Sequence, residues 1–353
     1  MRMLTKATLF TVLFFLLFNS SCGSKKKLLD YSPPHVRVSG RQILVDNKSF
    51  IIKGVGYSPT PIGKDPSVPS LRYDIYNDPA IYNRDFPILR QMGCNTIRTW
   101  GKVTSHEFLR TAAKYGIYVI MGFWINPEDF SDPTVRQTLL KEFREYVKEF
   151  KDEPAVLMWA IGNEQNYNWM YRGDLKNWYT LVNEMALTAH EIEGENYHPV
   201  TAPNGEILSI GDKNIGTDDS SLCYLDVWGA NIYRGCSFYT LFSEYASKSG
   251  KPFWISEYGV PALNPQSMEL DEDRQATCGL GLWNEIASNL HLCSGGTIME
   301  YCDEWWKAGN PEIHDKHMEE WWGLFSVACN PTGDADSLTP RKLYLEITNA
   351  WVQ

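Results

Sequence analysis

Several things are missing from this 353-residue chain. The apolar run Ala7–Phe18 stops at 12 residues, where about 20 are needed to cross a bilayer. No basic stripe lies beyond the N-terminus. Lys and Arg number 33 against 43 Asp and Glu, a formal charge of −10, which argues against nucleic acid as the main partner. The eight cysteines contain no CxxC pair, so zinc is not indicated, and no metal or cofactor is expected. No GxGxxG follows an early strand candidate, which counts against a dinucleotide-binding doubly wound sheet. There is no internal repeat and no sign of a second domain. What the chain does have is aromatics, with 13 Trp, 19 Tyr and 15 Phe. Aromatic faces beside acidic residues suit a sugar, whose rings have apolar faces and whose edges are hydroxyls.

The first residues read as a targeting segment. Arg2 and Lys6 precede the Ala7–Phe18 run, and small residues then lead to Cys22. That ending resembles the lipobox of bacterial lipoproteins. The resemblance implies a signal peptide over 1–21, acylation of Cys22, a tether over 22–35 and a place on the cell envelope, periplasmic or outer-surface. A plain cleaved secretory signal is the alternative. Seven further cysteines leave at least one free thiol. Cys94 and Cys302 sit in apolar strand contexts and are expected to be buried and free. Cys223–Cys236 or Cys278–Cys293 could pair.

Residues 36–353 alternate strands and helices. Val36–Phe50 reads as a β-hairpin. Eight apolar strand candidates follow: Ile51–Tyr57, Asn95–Trp100, Tyr118–Trp124, Ala155–Ile161, Pro199–Ala202, Val227–Tyr233, Pro252–Ser256 and Gly296–Tyr301. Several are continuous apolar runs, as parallel strands covered on both faces require. Helical periodicity fills most gaps, most clearly at Val135, Leu139, Phe143, Val147 and Phe150. Long segments, 58–75 and 304–329, follow strands. The expected fold is α/β, a single-domain (β/α)8 TIM barrel with its active site at the strand ends.

Two of those strand ends carry a glutamate: Gly162-Asn163-Glu164 and Ser256-Glu257-Tyr258-Gly259. Low-dielectric strand walls can raise a carboxyl pKa and keep its proton available for donation. Counting strands puts Glu164 after the fourth and Glu257 after the seventh. This layout resembles the clan of retaining glycoside hydrolases built on (β/α)8 barrels. Asn95-Thr96-Ile97-Arg98 and Asn231-Ile232-Tyr233 are similar to further clan motifs. Val36-Arg37-Val38 with Ile51-Ile52-Lys53-Gly54-Val55 is similar to the start of the family 2 catalytic barrel, though the β-sandwich domains that precede it in family 2 are absent here. Similar phrases occur in family 72 β-1,3-glucanosyltransferases.

The resemblance implies Glu257 as nucleophile, Glu164 as acid/base, and Arg98 and Tyr233 as the holders of Glu257. Asn163 would bind the sugar 2-hydroxyl, and Trp305 or Trp306 would face the sugar. Trp100, after strand two, is expected to line the cleft rather than the core, and Trp124 and Asn204, after strands three and five, are either site lining or barrel rim. Asp303 and Glu304 read as solvated loop residues, with binding of sugar hydroxyls the alternative, His314 and His317 as an exposed loop pair, and Glu319 and Glu320 as a charged helical face. The implied activity is retaining hydrolysis of a β-linked glycan or oligosaccharide. The alternatives are a β-glucan transglycosylase using the same residues and a non-catalytic glycan-binding lipoprotein.

Overall fold

The computed structural model describes residues 33–167 and 174–352. The signal segment, Cys22 and most of the tether lie outside them.

Chain order begins with a small antiparallel sheet of β1 (Val36–Ser39), β2 (Gln42–Val45) and β3 (Lys48–Ser49). The expected hairpin therefore gains a third, two-residue strand. Asp46 and Asn47 join β2 to β3 with φ of 49° and 63°, the two-residue turn whose twist suits a hairpin and which Asp and Asn tolerate. Eight parallel strands then close a barrel: β4 (Ile52–Gly56), β5 (Thr96–Arg98), β6 (Tyr118–Phe123), β7 (Val156–Ile161), β8 (Val200–Gly205), β9 (Val227–Ile232), β10 (Phe253–Tyr258) and, after the short hairpin β11 (Leu263–Asn264) and β12 (Glu269–Leu270), β13 (Gly295–Ile298). The ladder runs in chain order and closes where β13 pairs with β4. Each of the eight coincides with an expected strand. A further hairpin, β14 (Phe325–Ala328) with β15 (Ser337–Pro340), lies in the long segment after the eighth barrel strand.

Among the described residues, seven α-helices surround the barrel: α1 (Pro79–Gln91), α2 (His106–Lys114), α3 (Pro133–Phe150), α4 (Leu175–Glu193), α5 (Leu241–Lys248), α6 (Glu272–Ser288) and α7 (Lys342–Val352). Their starts follow from side-chain caps. Asp78, Ser105, Asp132, Asp174 and Asp271 each accept a first-turn backbone N–H. Two cores result. Outward-facing strand residues such as Ile97, Ala202 and Ile255 pack under the helices. Inside the barrel, Ile52, Ile120, Val227 and Trp254 pack with Val36, Ile43 and Val45 of the N-terminal sheet. That sheet therefore closes the end where the strands begin, and the opposite end is left to long loops.

Among the described residues, one disulfide joins Cys236, after β9, to Cys278 on α6. Neither expected pairing forms: Cys223 is free and exposed and Cys293 free and buried. Fold proximity rather than sequence proximity selects the partner. Cys94 and Cys302 are buried and free as expected.

Candidate active site

Glu164 stands just beyond β7 in a turn that bends sharply. Gly162 has φ of 64° and Glu164 itself 55°, a backbone region in which non-glycine residues are uncommon. A Cβ on Gly162 would come within 2.6 Å of Gln165 Oε1 and 2.8 Å of the Trp178 ring. The next two side chains hold the turn. Gln165 accepts from Asn163 N and donates to Ile125 O, each at 2.6 Å. Asn166 exchanges two 2.7 Å bonds with the backbone of Gly205, at the end of β8. The turn is thus fastened to both neighbouring strand ends, and Glu164 is held away from its relaxed conformation.

Glu257 is placed by a bulge. Ile255 aligns with Ala230 and Glu257 with Asn231, so β10 carries one residue more than β9 at this point. An extra residue re-aims side chains. Here it lets consecutive residues share the barrel interior: Ser256 Oγ donates to Asn231 Oδ1 at 2.7 Å, and Glu257 meets Arg98. Three donors converge on the Glu257 carboxylate. Arg98 Nη1 reaches Oε1 at 2.6 Å, Trp100 Nε1 reaches Oε1 at 2.8 Å, and the Tyr233 hydroxyl reaches Oε2 at 2.6 Å. Trp100 gets there by crossing over Gly56, where a Cβ would lie 2.5 Å from its ring.

One hydrogen-bonded path links the two carboxylates. Arg98 Nη2 donates to Asn163 Oδ1 at 2.7 Å. Asn231 Nδ2 donates to the same oxygen at 3.1 Å and to Glu164 Oε1 at 2.8 Å. Two donors on one atom identify it as the Asn163 carbonyl and turn its amide nitrogen elsewhere. Arg98 is 1% exposed and Glu257 6%, so these charges interact with little screening. The Glu164 pKa is pushed up from 4.5 to about 7, first by burial and then by the Glu257 charge. Asn231 and Arg98 oppose that rise. The Tyr233 hydroxyl is pushed well above its ordinary value by burial and by Glu257, so it acts as a donor, although the rest of the ring is exposed.

Glu164, Glu257, Arg98, Asn163, Tyr233 and Trp100 therefore come together. The other expected contacts divide. Trp305 and Trp306 sit on a short 3-10 turn after β13, both half-buried. Trp305 stacks on His314, which stacks in turn on Trp321. Trp124 is exposed and donates to Asn126, which places it at the rim. Asn204 shares the parity of Ala202, on the helix side of β8, and accepts from Tyr179 of α4 at 3.3 Å. It does not join the cleft residues, because strand alternation turns it outward.

Three bland expectations fail. Asp303 and Glu304 are buried, and Asp303 forms a two-bond pair with Arg341 at 2.6 Å. Glu320 is wholly buried rather than on a charged face. His314 is an aromatic sandwich member, whereas His317 is exposed. Sequence reasoning also passed over Asn231, the bridge between the acids, and Trp322, whose ring packs edge-on to Tyr233 at 5.1 Å. Asn231 stands two residues before the motif tyrosine, which was the available signal. Trp322 had none.

Known proteins are similar to this chain in sequence and in fold. Mouse (Mus musculus) beta-glucuronidase is 30% identical over 134 residues, 36% of this chain and 19% of that protein. The 1,3-beta-glucanosyltransferase gas5 of Schizosaccharomyces pombe is 23% identical over 351 residues, 91% of this chain and 66% of that protein. A solved GH2 beta-galacturonidase from Eisenbergiella tayi bound to galacturonate superposes with a TM-score of 0.66 at 18% identity, over 90% of this chain and 54% of its own. The chain thus spans only part of these relatives' length. Residues 36–276 match the family described as Glycosyl hydrolases family 2, TIM barrel domain, and the chain belongs to that family.

Proposed function

We propose that the protein is a retaining glycosidase acting on a β-linked glycan or oligosaccharide. The observation that carries this reading is the single bonded path between two carboxylates in unlike settings. Glu257 is gripped by three donors and oriented as a nucleophile. Glu164 is raised to about 7 and can carry a proton near neutrality. In the first step Glu257 bonds to the anomeric carbon while Glu164 gives its proton to the departing oxygen. In the second, Glu164 takes a proton from water, the water oxygen bonds to the anomeric carbon, and Glu257 is released. Asn163 has its carbonyl committed to Arg98 and Asn231, which leaves its amide N–H groups for the sugar 2-hydroxyl. Hydrolysis of a panel of aryl β-glycosides and β-glucans, with Glu257→Gln as control, tests this. Turnover lost in the variant is expected. Binding without turnover on every substrate would favour a glycan-binding protein.

Similarity to the gas5 glucanosyltransferase over 91% of the chain supports a second reading, in which a sugar hydroxyl replaces water in the second step. A β-1,3-glucan is then the substrate, and chromatography of the products would show chains longer than the starting oligosaccharide. Export and lipid anchoring through Cys22 belong to the proposal too. They are supported by the basic, apolar and small-residue order of residues 2–22. Cys22→Ser should release the protein from the membrane fraction, and unchanged partitioning would remove the anchor.

A further inference from the structure

A second charged cluster adjoins the carboxylate pair, on the chain leaving β13. Lys307 Nζ donates to both oxygens of Glu300 at 2.9 Å and bridges Glu304 at 2.8 Å. Glu300 is 1% exposed and Glu304 2%. The cluster reaches the pair through Trp322: Glu300 N donates to Trp322 O, and the Trp322 ring packs on Tyr233, whose hydroxyl holds Glu257.

The cluster has polar atoms left over. Glu304 Oε1 is buried with no partner among the described residues, and so are the indole N–H groups of Trp305 and Trp306. Unpaired buried groups are unfavourable. A sugar hydroxyl can donate to the first and accept from the others. Among the described residues the cluster has no spare positive charge. One lysine answers two carboxylates, and burial together with Glu304 pushes the Glu300 carboxyl well above the ordinary range. Nearby arginines are committed as well: Arg98 to Glu257 and Asn163, Arg234 to Glu206 and Glu244, and Arg341 to Asp303.

We infer that Glu300, Glu304 and Lys307 form the wall that reads the hydroxyls of the sugar being cleaved, and that this sugar is an uncharged glycosyl unit rather than a uronic acid. The inference rests on the glycosidase reading and narrows its substrate class. A uronate carboxylate would enter beside two glutamates with no uncommitted cation in the cluster among the described residues, a repulsive and poorly solvated position. Several structural neighbours are named for uronides, and substrate class is where this chain parts from them.

Two measurements on the full chain test it. The first is kcat/KM for aryl β-glucoside, β-galactoside, β-mannoside and β-xyloside against the β-glucuronide and β-galacturonide, for wild type and Glu304→Gln. At least one neutral glycoside should exceed both uronides by on the order of 100-fold. Glu304→Gln should lower the neutral rate and narrow that ratio, because Lys307 loses one of its two counter-charges. The second is calorimetric binding of a neutral and a uronic isofagomine to the wild type, which needs neither turnover nor a folded variant. Tighter binding of the neutral compound is expected. A uronide preference in either measurement overturns the inference and leaves the glycosidase reading standing. Neutral isofagomine binding with no turnover of any glycoside or glucan overturns the glycosidase reading instead.

Discussion

The pKa of Glu164 makes the most quantitative prediction. Acid assistance needs Glu164 protonated, and burial beside Glu257 lifts it from 4.5 to about 7. At pH 7 a glutamate at its ordinary value would hold a proton in about 0.3% of molecules, and one titrating at about 7 in half of them, a gain of about 150-fold. For an aryl glycoside with a poor leaving group, kcat/KM should therefore fall as pH rises through about 7. For a dinitrophenyl glycoside, whose leaving group needs no proton, the alkaline limb should move up or vanish. Glu164→Ala should lower the first rate by roughly 100-fold to 10,000-fold and the second much less. Stopped pH–rate profiles on the two substrates, for both enzymes, provide the check. Equal loss on both substrates, or an alkaline limb of the same midpoint on both, would refute the role of Glu164 as acid.

Three further outcomes are expected. Glu257→Ala should abolish turnover while the fold persists, and azide should restore part of it by entering the vacated space, giving a glycosyl azide of inverted configuration. Glu164→Gln should raise stability above pH 7. Folded Glu164 binds its proton more tightly than the unfolded chain does, so its stabilisation is complete below about pH 4.5 and is lost as pH rises through about 7. Denaturant melts should show the variant ahead by on the order of 1–3 kcal/mol at pH 8, with the gap closing at pH 4. Replacing Cys236 and Cys278 by Ser opens a link spanning 42 residues, and denaturation should then show a loss of about 2–4 kcal/mol.

The barrel was legible because its strands are buried on both faces. Runs such as Val156–Ile161 are continuously apolar, and helix starts such as Asp132-Pro133 carry their own caps. The two glutamates were legible as motifs at strand ends. How they are aimed was not. The β10 bulge that turns Ser256 and Glu257 to one side has no signature in Trp254-Ile255-Ser256-Glu257, and the Glu164 turn depends on Gln165 and Asn166 reaching other strands. Asn204, left open between site lining and rim, meets Tyr179 on the helix side because of one step of strand parity. Asp303 and Glu304 were misjudged because burial of a charge depends on partners. Arg341 lies 38 residues away from Asp303, and Lys307, only one helical turn from Glu304, reads locally as an ordinary loop lysine. Cys236 and Cys278 meet only because the chain after β9 passes α6.

The central claim is that Glu257 forms and then releases a bond to the sugar, which inverts the anomeric carbon twice. Proton NMR of the reaction mixture in its first minutes, before the product sugar mutarotates, reads that outcome directly. The account predicts that the β-anomer appears first and the α-anomer grows in later. An α-anomer that appears first would mean a single displacement by water, and the assignment of Glu257 as nucleophile would be contradicted.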